Sequence, residues 1–349
     1  MVLEAVIHPG MPKTGTSSIQ ETLASTAPEG WQAIKASNHN MSGSMRLVFE
    51  SASPSSHFAV ARGFDQAKLD NLYKKRVKEL ADQVDLAFKT GKNVIFSAER
   101  VCGAPEEAID ALADYFRAKG FRPRIIGYVR KPVSYMQSFF QQQLKIKDFS
   151  LENAGGLWPR YRSRFEKLDR IFGPENVTLK VFDADTLKDG NVVLDFFSEL
   201  GAELDSEPVS KLNESLTVEA CAMLYVQRKF GKGFIKGFPS ANAKNLDFIK
   251  TLSGINGHKL HLMRSLCAPV VDKFSDDLDW MENRLNVPLL DLPEEDPDYA
   301  VGSDQDLIEV ALQNIGVLEG LISERLEKES DQPEKMLIHK LELLRKLHY

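Results

Sequence analysis

The chain has 349 residues, 43% hydrophobic and 27% charged, with a formal net charge of −6. That composition is the one expected of a soluble globular protein and supplies a sizeable core. The acidic balance excludes a broadly basic, nucleic-acid-coating surface, so any anion site must be local.

Leu3 to His8 is a short apolar run that predicts a buried strand. Met1 to Ile7 is too short for the apolar region of a secretory leader, so none is expected, and no apolar run approaches the ~20 residues of a membrane span. The three scattered cysteines, Cys102, Cys221 and Cys267, form no CxxC pair, which points to a reducing compartment and a cytoplasmic protein. A glycine-rich turn, His8 to Gly15, follows, and Thr16 to Ala24 has helical character. Asn38 to Ser56, rich in Ser and Asn, predicts a long loop holding one short helix. Apolar residues at Leu69, Leu72, Val77, Leu80, Val84 and Phe88 predict a helix from Asp65 to Phe88. Then come a strand (Asn93 to Ser97), a helix opening on proline (Pro105 to Lys119), a strand (Arg124 to Val129) and a second proline-led helix (Pro132 to Lys145). A helix (Trp158 to Phe172), a strand (Val177 to Phe182) and a helix (Val192 to Leu200) complete the series. This alternation predicts an α/β fold in three layers, with a central parallel sheet flanked by helices and right-handed crossovers. Beyond Gly201 the strands thin out, and helices are expected at Thr217 to Phe230, Leu260 to Phe274, Asp276 to Leu285, Asp304 to Leu326 and Glu334 to Leu347. Leu337, Leu341, Leu344 and Leu347 form a helical stripe, read first as core packing and second as a dimer contact.

The segment Gly10-Met-Pro-Lys-Thr-Gly-Thr-Ser-Ser18 lies between the first strand and the first helix. A helix N-terminus offers unpaired N–H groups and a partial positive charge. Gly10 and Gly15 permit a tight turn and close backbone approach, Lys13 adds a charge, and Thr16, Ser17 and Ser18 add hydroxyls. Together they make an anion cradle. It departs from the G-x-x-x-x-G-K-[ST] phosphate loop, because Lys13 precedes Gly15. No strand ends in a convincing magnesium-holding aspartate, and no residue set calls for a metal. The segment His8, Gly10, Lys13, Thr14, Gly15, Thr16, Ser17, Ser18, Ile19, Gln20 resembles the 5′-phosphosulfate loop of bacterial-type sulfotransferases that use PAPS (3′-phosphoadenosine 5′-phosphosulfate). The resemblance implies a P-loop-like fold and the same ligand role for Lys13, Thr14, Gly15, Thr16, Ser17 and Ser18.

A second segment, Ile125 to Ser138, runs from a strand into a helix. Arg130 ends the strand, at the edge where open α/β sheets bind ligands, and Arg grips phosphate through paired hydrogen bonds. Similar sulfotransferases carry an Arg with a Ser eight residues later as their 3′-phosphate site, which implies that role for Arg130 and Ser138. A third segment, Val94 to Arg100, is a strand ending in Ser97-Ala-Glu99. A carboxylate facing an anion site makes sense as a proton acceptor, and a glutamate in a comparable place is the base in heparan-type relatives. The structural alternatives for Glu99 are a pair with Arg100 or Lys13 and a helix cap. His8 is the other candidate base, more readily a loop-holding residue; His39 and His57 are weaker. Asn213-Glu-Ser-Leu-Thr217 and Asp195-Phe-Phe also fit the family pattern.

The resemblance therefore implies transfer of a sulfuryl group from PAPS, by in-line displacement releasing PAP, to a hydroxyl or amine of a small-molecule or glycan acceptor, with a carbohydrate or carbohydrate-containing molecule expected from the family's habit. The domains expected are residues 1–290, helical on the acceptor side from about 202, and a C-terminal helical extension, 291–349. The extension packs on the domain or builds a homo-oligomer. Asn38 to Arg62 and the helical half would shape the acceptor pocket. The rivals are an ATP-dependent kinase of the P-loop type and a non-catalytic nucleotide-binding protein of the same fold.

Overall fold

Five strands form one sheet in the computed structural model, which describes residues 2–56, 59, 63–204, 215–231, 241–321 and 333–347. The strands are β1 (Leu3–His8), β2 (Trp31–Ala33), β3 (Asn93–Ser97), β4 (Phe121–Val129) and β5 (Val177–Val181). Their order is β2-β3-β1-β4-β5, with every pairing parallel. The helices are α1 (Thr16–Ser25), α2 (Gln66–Lys89), α3 (Arg100–Gly103), α4 (Glu106–Ala118), α5 (Pro132–Ile146), α6 (Tyr161–Phe172) and α7 (Val192–Glu199). They continue as α8 (Val218–Phe230), α9 (Ala241–Ser253), α10 (Arg264–Lys273), α11 (Ser275–Leu285), α12 (Asp304–Gln313), α13 (Val317–Leu321) and α14 (Pro333–Leu347). The expected α/β architecture with a parallel sheet is therefore present.

These residues fall into two compact units: 1–131, 160–212 and 277–288 in one, and 132–159, 213–276 and 289–349 in the other. This division differs from the chain-order split at 290, because the chain leaves the first unit after Lys131 and returns to it at Arg160.

In the first unit, β1 leads to β2 in one direction across the sheet, while β2 to β3, β3 to β4 and β4 to β5 run the other way. Right-handed crossovers then put α1 on one face and α2, α4 and α6 on the opposite face. The packing agrees. Ile19 and Leu23 of α1 join Val193, Phe196 and Phe197 of α7 over Val6, Ile95, Ile126 and Tyr128 in one buried cluster. The other three helices pack on β3 and β4. Because β1 is central, the turn that follows it is flanked by the ends of β3 and β4.

In the second unit α8 is the hub. Ten successive residues, Val218 to Gln227, are buried, so the helix has no polar face to betray its period. Leu337, Leu341 and Leu344 of α14 are buried, which supports the packing reading of that stripe; the side chain of Leu347 lies outside the described residues.

The structure moves several expected boundaries. The loop from Asn38 holds a short helix, Ser42–Ser44, running into a π-turn, Met45–Phe49. The helix expected from Trp158 starts at Tyr161, after Arg160 in a left-handed conformation. The helix expected from 304 to 326 stops at Gln313 and restarts at Val317; residues 322–326 lie outside the description.

Candidate functional site

The turn after β1 is built by two left-handed residues in three, Lys13 at φ 68° and Gly15 at φ 72°. Such a curl makes a concave, anion-binding backbone. The buried Thr14 hydroxyl donates to Met11 O at 2.8 Å and closes it. Gly15 packs so tightly that a Cβ there would lie 2.5 Å from Val192 Cγ1. Gly15→Ala should therefore cost about 2–5 kcal/mol, from left-handed strain plus overpacking. A denaturant melt that matches wild type would contradict this packing.

The first intrahelical bond of α1 runs from Ile19 N to Gly15 O at 3.1 Å, so the amides of Thr16, Ser17 and Ser18 precede it. No side chain caps this end, and no acidic residue stands in its first turn. Thr16 is buried, and its Oγ1 has no hydrogen-bond partner. Several other helix starts are closed by carboxylates. Asp277 accepts from Tyr161 N and Arg162 N of α6. In the second unit Asp291 does the same for α5, and Asp296 for α10. A buried hydroxyl without a partner is costly, and a bound oxyanion would satisfy it together with the leading amides.

Arg130 follows β4 directly. Its Nη1 donates to Lys13 O at 2.7 Å, its guanidinium lies 5.8 Å from the Phe182 ring centre, and its carbonyl accepts from Tyr161 Oη at 2.7 Å. Arg130 thus holds the left-handed Lys13 in place from the neighbouring strand end. Sequence spacing carried no sign of that bond or of Tyr161.

Glu99 stands two residues beyond Ser97, the last residue of β3. A Cβ on Gly10 would lie 2.4 Å from Thr16 Oγ1 and 2.9 Å from Glu99 Cγ. Only glycine fits there, and the partnerless hydroxyl and the candidate base meet at that point. Two of the structural alternatives for Glu99 are absent. Arg100 instead forms a paired contact with Glu50, Nε–Oε1 at 2.6 Å and Nη2–Oε2 at 2.7 Å. Glu99 also makes no capping bond to α3. Lys13 remains its electrostatic neighbour: burial raises the Glu99 pKa above the usual carboxylate range, and the Lys13 charge pulls it back. By surface area Glu99 is an exposed residue, at odds with strong burial, so solvent screening keeps the rise small.

His8 is fully buried with Nδ1 2.9 Å from Ser97 Oγ, and burial pushes its pKa down to about 3. Ser17 and Ser18 are half-buried. Ser138 is half-buried on α5 and belongs to the second unit. His39 is half-buried, its pKa lowered by burial and then by Lys35. His57, Arg62, Asn213 and Glu214 lie outside the described residues. Leu216 N donates to Gln141 Oε1 at 3.0 Å, and Thr217 caps α8. Asp195 is buried and accepts from Tyr128 Oη at 2.9 Å and Lys180 Nζ at 2.6 Å, a role its place in the sequence did not suggest. Among the described residues no group of three or more His, Cys, Asp or Glu is arranged to hold a metal ion.

Compared with protein-family models, with curated proteins and with solved structures, the chain finds no match.

Proposed function

We propose that this P-loop-like chain is a sulfotransferase that moves the sulfuryl group of PAPS to a hydroxyl or amine and releases PAP. The observation that carries the reading is the buried, partnerless Thr16 hydroxyl at an uncapped helix start, inside a left-handed turn bearing Lys13. A phosphosulfate fits such a cradle, since its oxygens accept from the hydroxyl and from amides while Lys13 balances their charge.

The acceptor oxygen or nitrogen attacks sulfur in line. The bond from sulfur to the bridging oxygen breaks, and its electron pair stays on the 5′-phosphate of PAP. Lys13 and the amides of Gly15, Thr16 and Ser17 stabilise charge growing on that oxygen. Glu99 takes the acceptor proton, and its raised pKa suits that task. Arg130 holds the nucleotide's 3′-phosphate in this reading, and the resemblance gives Ser138 of the second unit the same ligand role. The acceptor is a small molecule or glycan, and the compartment is cytoplasmic in this reading. No described helix is long and apolar enough to cross a membrane.

The test is a melt with ligands. PAP at a hundred times its Kd should stabilise the chain by about 2.7 kcal/mol. AMP, lacking the 3′-phosphate, should do far less at equal concentration, and ATP with magnesium should not exceed it. A larger rise with ATP and magnesium than with PAP would favour the kinase reading.

A further inference from the structure

Three buried polar side chains from three elements meet beside the cradle. Gln20 Nε2 of α1 donates to Ser97 Oγ of β3 at 3.0 Å, and Ser97 Oγ lies 2.9 Å from His8 Nδ1 of β1. All three residues are buried, and His8 Nε2 has no hydrogen-bond partner. The His8 ring packs on Phe196, with centroids 5.1 Å apart, and edge-on to Tyr128 at 6.3 Å.

With the Gln20 amide nitrogen turned toward Ser97 Oγ, the hydrogen-bond count sets the direction. Ser97 has one hydroxyl proton, and its oxygen already accepts from Gln20. Giving that proton to His8 Nδ1 leaves one buried group unmatched, an Nε2–H against aromatic rings, which are weak acceptors. The reverse, Nδ1–H donating to Ser97, leaves two unmatched, the Ser97 proton and the Nε2 lone pair. Buried polar groups are rarely left so. The chain of donation therefore runs Gln20 to Ser97 to His8, with the imidazole proton on Nε2.

The network's place in the chain gives it a consequence. His8 is two residues before Gly10, Gln20 is one helical turn after Thr16, and Ser97 is two residues before Glu99. The backbone ladder already pairs His8 with Ser97, and Ala98 N to His8 O at 3.0 Å extends it by one bond, so what the side chains add is the link from this ladder to α1. Ser97 is thus the pin between the helix that forms the cradle and the strand that carries Glu99. We infer that His8, Ser97 and Gln20 are positioning residues that fix the distance from the anion cradle to Glu99, with His8 held as the Nε2–H tautomer. The inference rests on the sulfotransferase reading for what is positioned, and on geometry alone for the tautomer. Because the cradle lies on α1 and its own turn, loosening the pin displaces Glu99 from the cradle without dismantling the cradle.

The experiment has two arms. In the first, PAP binding by calorimetry and PAP release from PAPS are measured on Ser97→Ala and Gln20→Leu, at a temperature where circular dichroism shows each folded. A misplacement of about 1 Å costs up to ~10²-fold in turnover, so PAP release should fall by about that factor. PAP affinity should stay within about threefold, ~0.6 kcal/mol at ~1.4 kcal/mol per decade. Full turnover in both folded variants, or equal losses of binding and turnover, overturns the positioning role. In the second arm, the imidazole ¹⁵N shifts of the wild-type chain are recorded at neutral pH, with His8 assigned by its loss in His8→Gln. They should report Nε2–H; an Nδ1–H pattern overturns the network. If wild-type protein neither binds PAP nor releases it from PAPS, the sulfotransferase reading fails, and the network is decided by the second arm.

Discussion

Glu99→Gln should leave PAP affinity and melting temperature near wild type while turnover falls by about 10²–10⁴-fold, the usual contribution of positioned proton removal. The substitution keeps the shape and the hydrogen-bonding reach of the side chain. It removes the negative charge, which faces Lys13, and with it the ability to take a proton. The structure makes this a clean test, because Glu99 neither pairs with Arg100 nor caps α3. The pH dependence has a definite sign. The Glu99 pKa is raised, by burial first and against the Lys13 charge. In the wild type, turnover should therefore fall as pH drops through a value above the ordinary carboxylate range, and that limb should vanish in Glu99→Gln. Turnover is read as PAP release from PAPS across a pH series. A variant that binds PAP poorly or melts early would make Glu99 a structural partner of Lys13.

Arg130→Ala should weaken PAP binding by roughly 10- to 150-fold, since charged hydrogen bonds contribute ~1.5–3 kcal/mol and a decade corresponds to ~1.4 kcal/mol. The bond from Arg130 to Lys13 O gives the residue a second job, bracing the turn. Titrating PAP and AMP side by side separates the two. If the guanidinium grips the 3′-phosphate, the variant loses PAP affinity and keeps most of its AMP affinity. If it only braces the turn, both ligands lose equally, because the 5′-phosphate site is what has loosened.

The sheet was largely legible because its strands are short apolar runs closed by Gly, Pro or a charged residue, as at Asn93–Ser97 and Leu3–His8. β2 was not. Trp31–Ala33 is three residues long, and only its pairing with β3 makes it a strand. β4 extends back to Phe121 because Leu3 to Ala5 pair with Phe121 to Pro123, a tertiary cause overriding the local signal of a proline. The membership of the cradle was visible as residue types, yet their division of labour was not. Thr14 closes the turn, Thr16 is left without a partner, and Lys13 sits left-handed under Arg130. Those roles depend on contacts between residues as much as 117 positions apart. Spacing also offered no sign that Arg100 would pair with Glu50 and leave Glu99 to face the cradle.

The most direct measurement supplies the chain with PAPS and a mixed set of hydroxyl and amine acceptors without magnesium, and follows PAP and sulfated product together. The account predicts that both appear in equal amounts, and that both fall in Lys13→Ala and Glu99→Gln. PAPS left intact by folded protein, with phosphate transferred from ATP once magnesium is added, would contradict it.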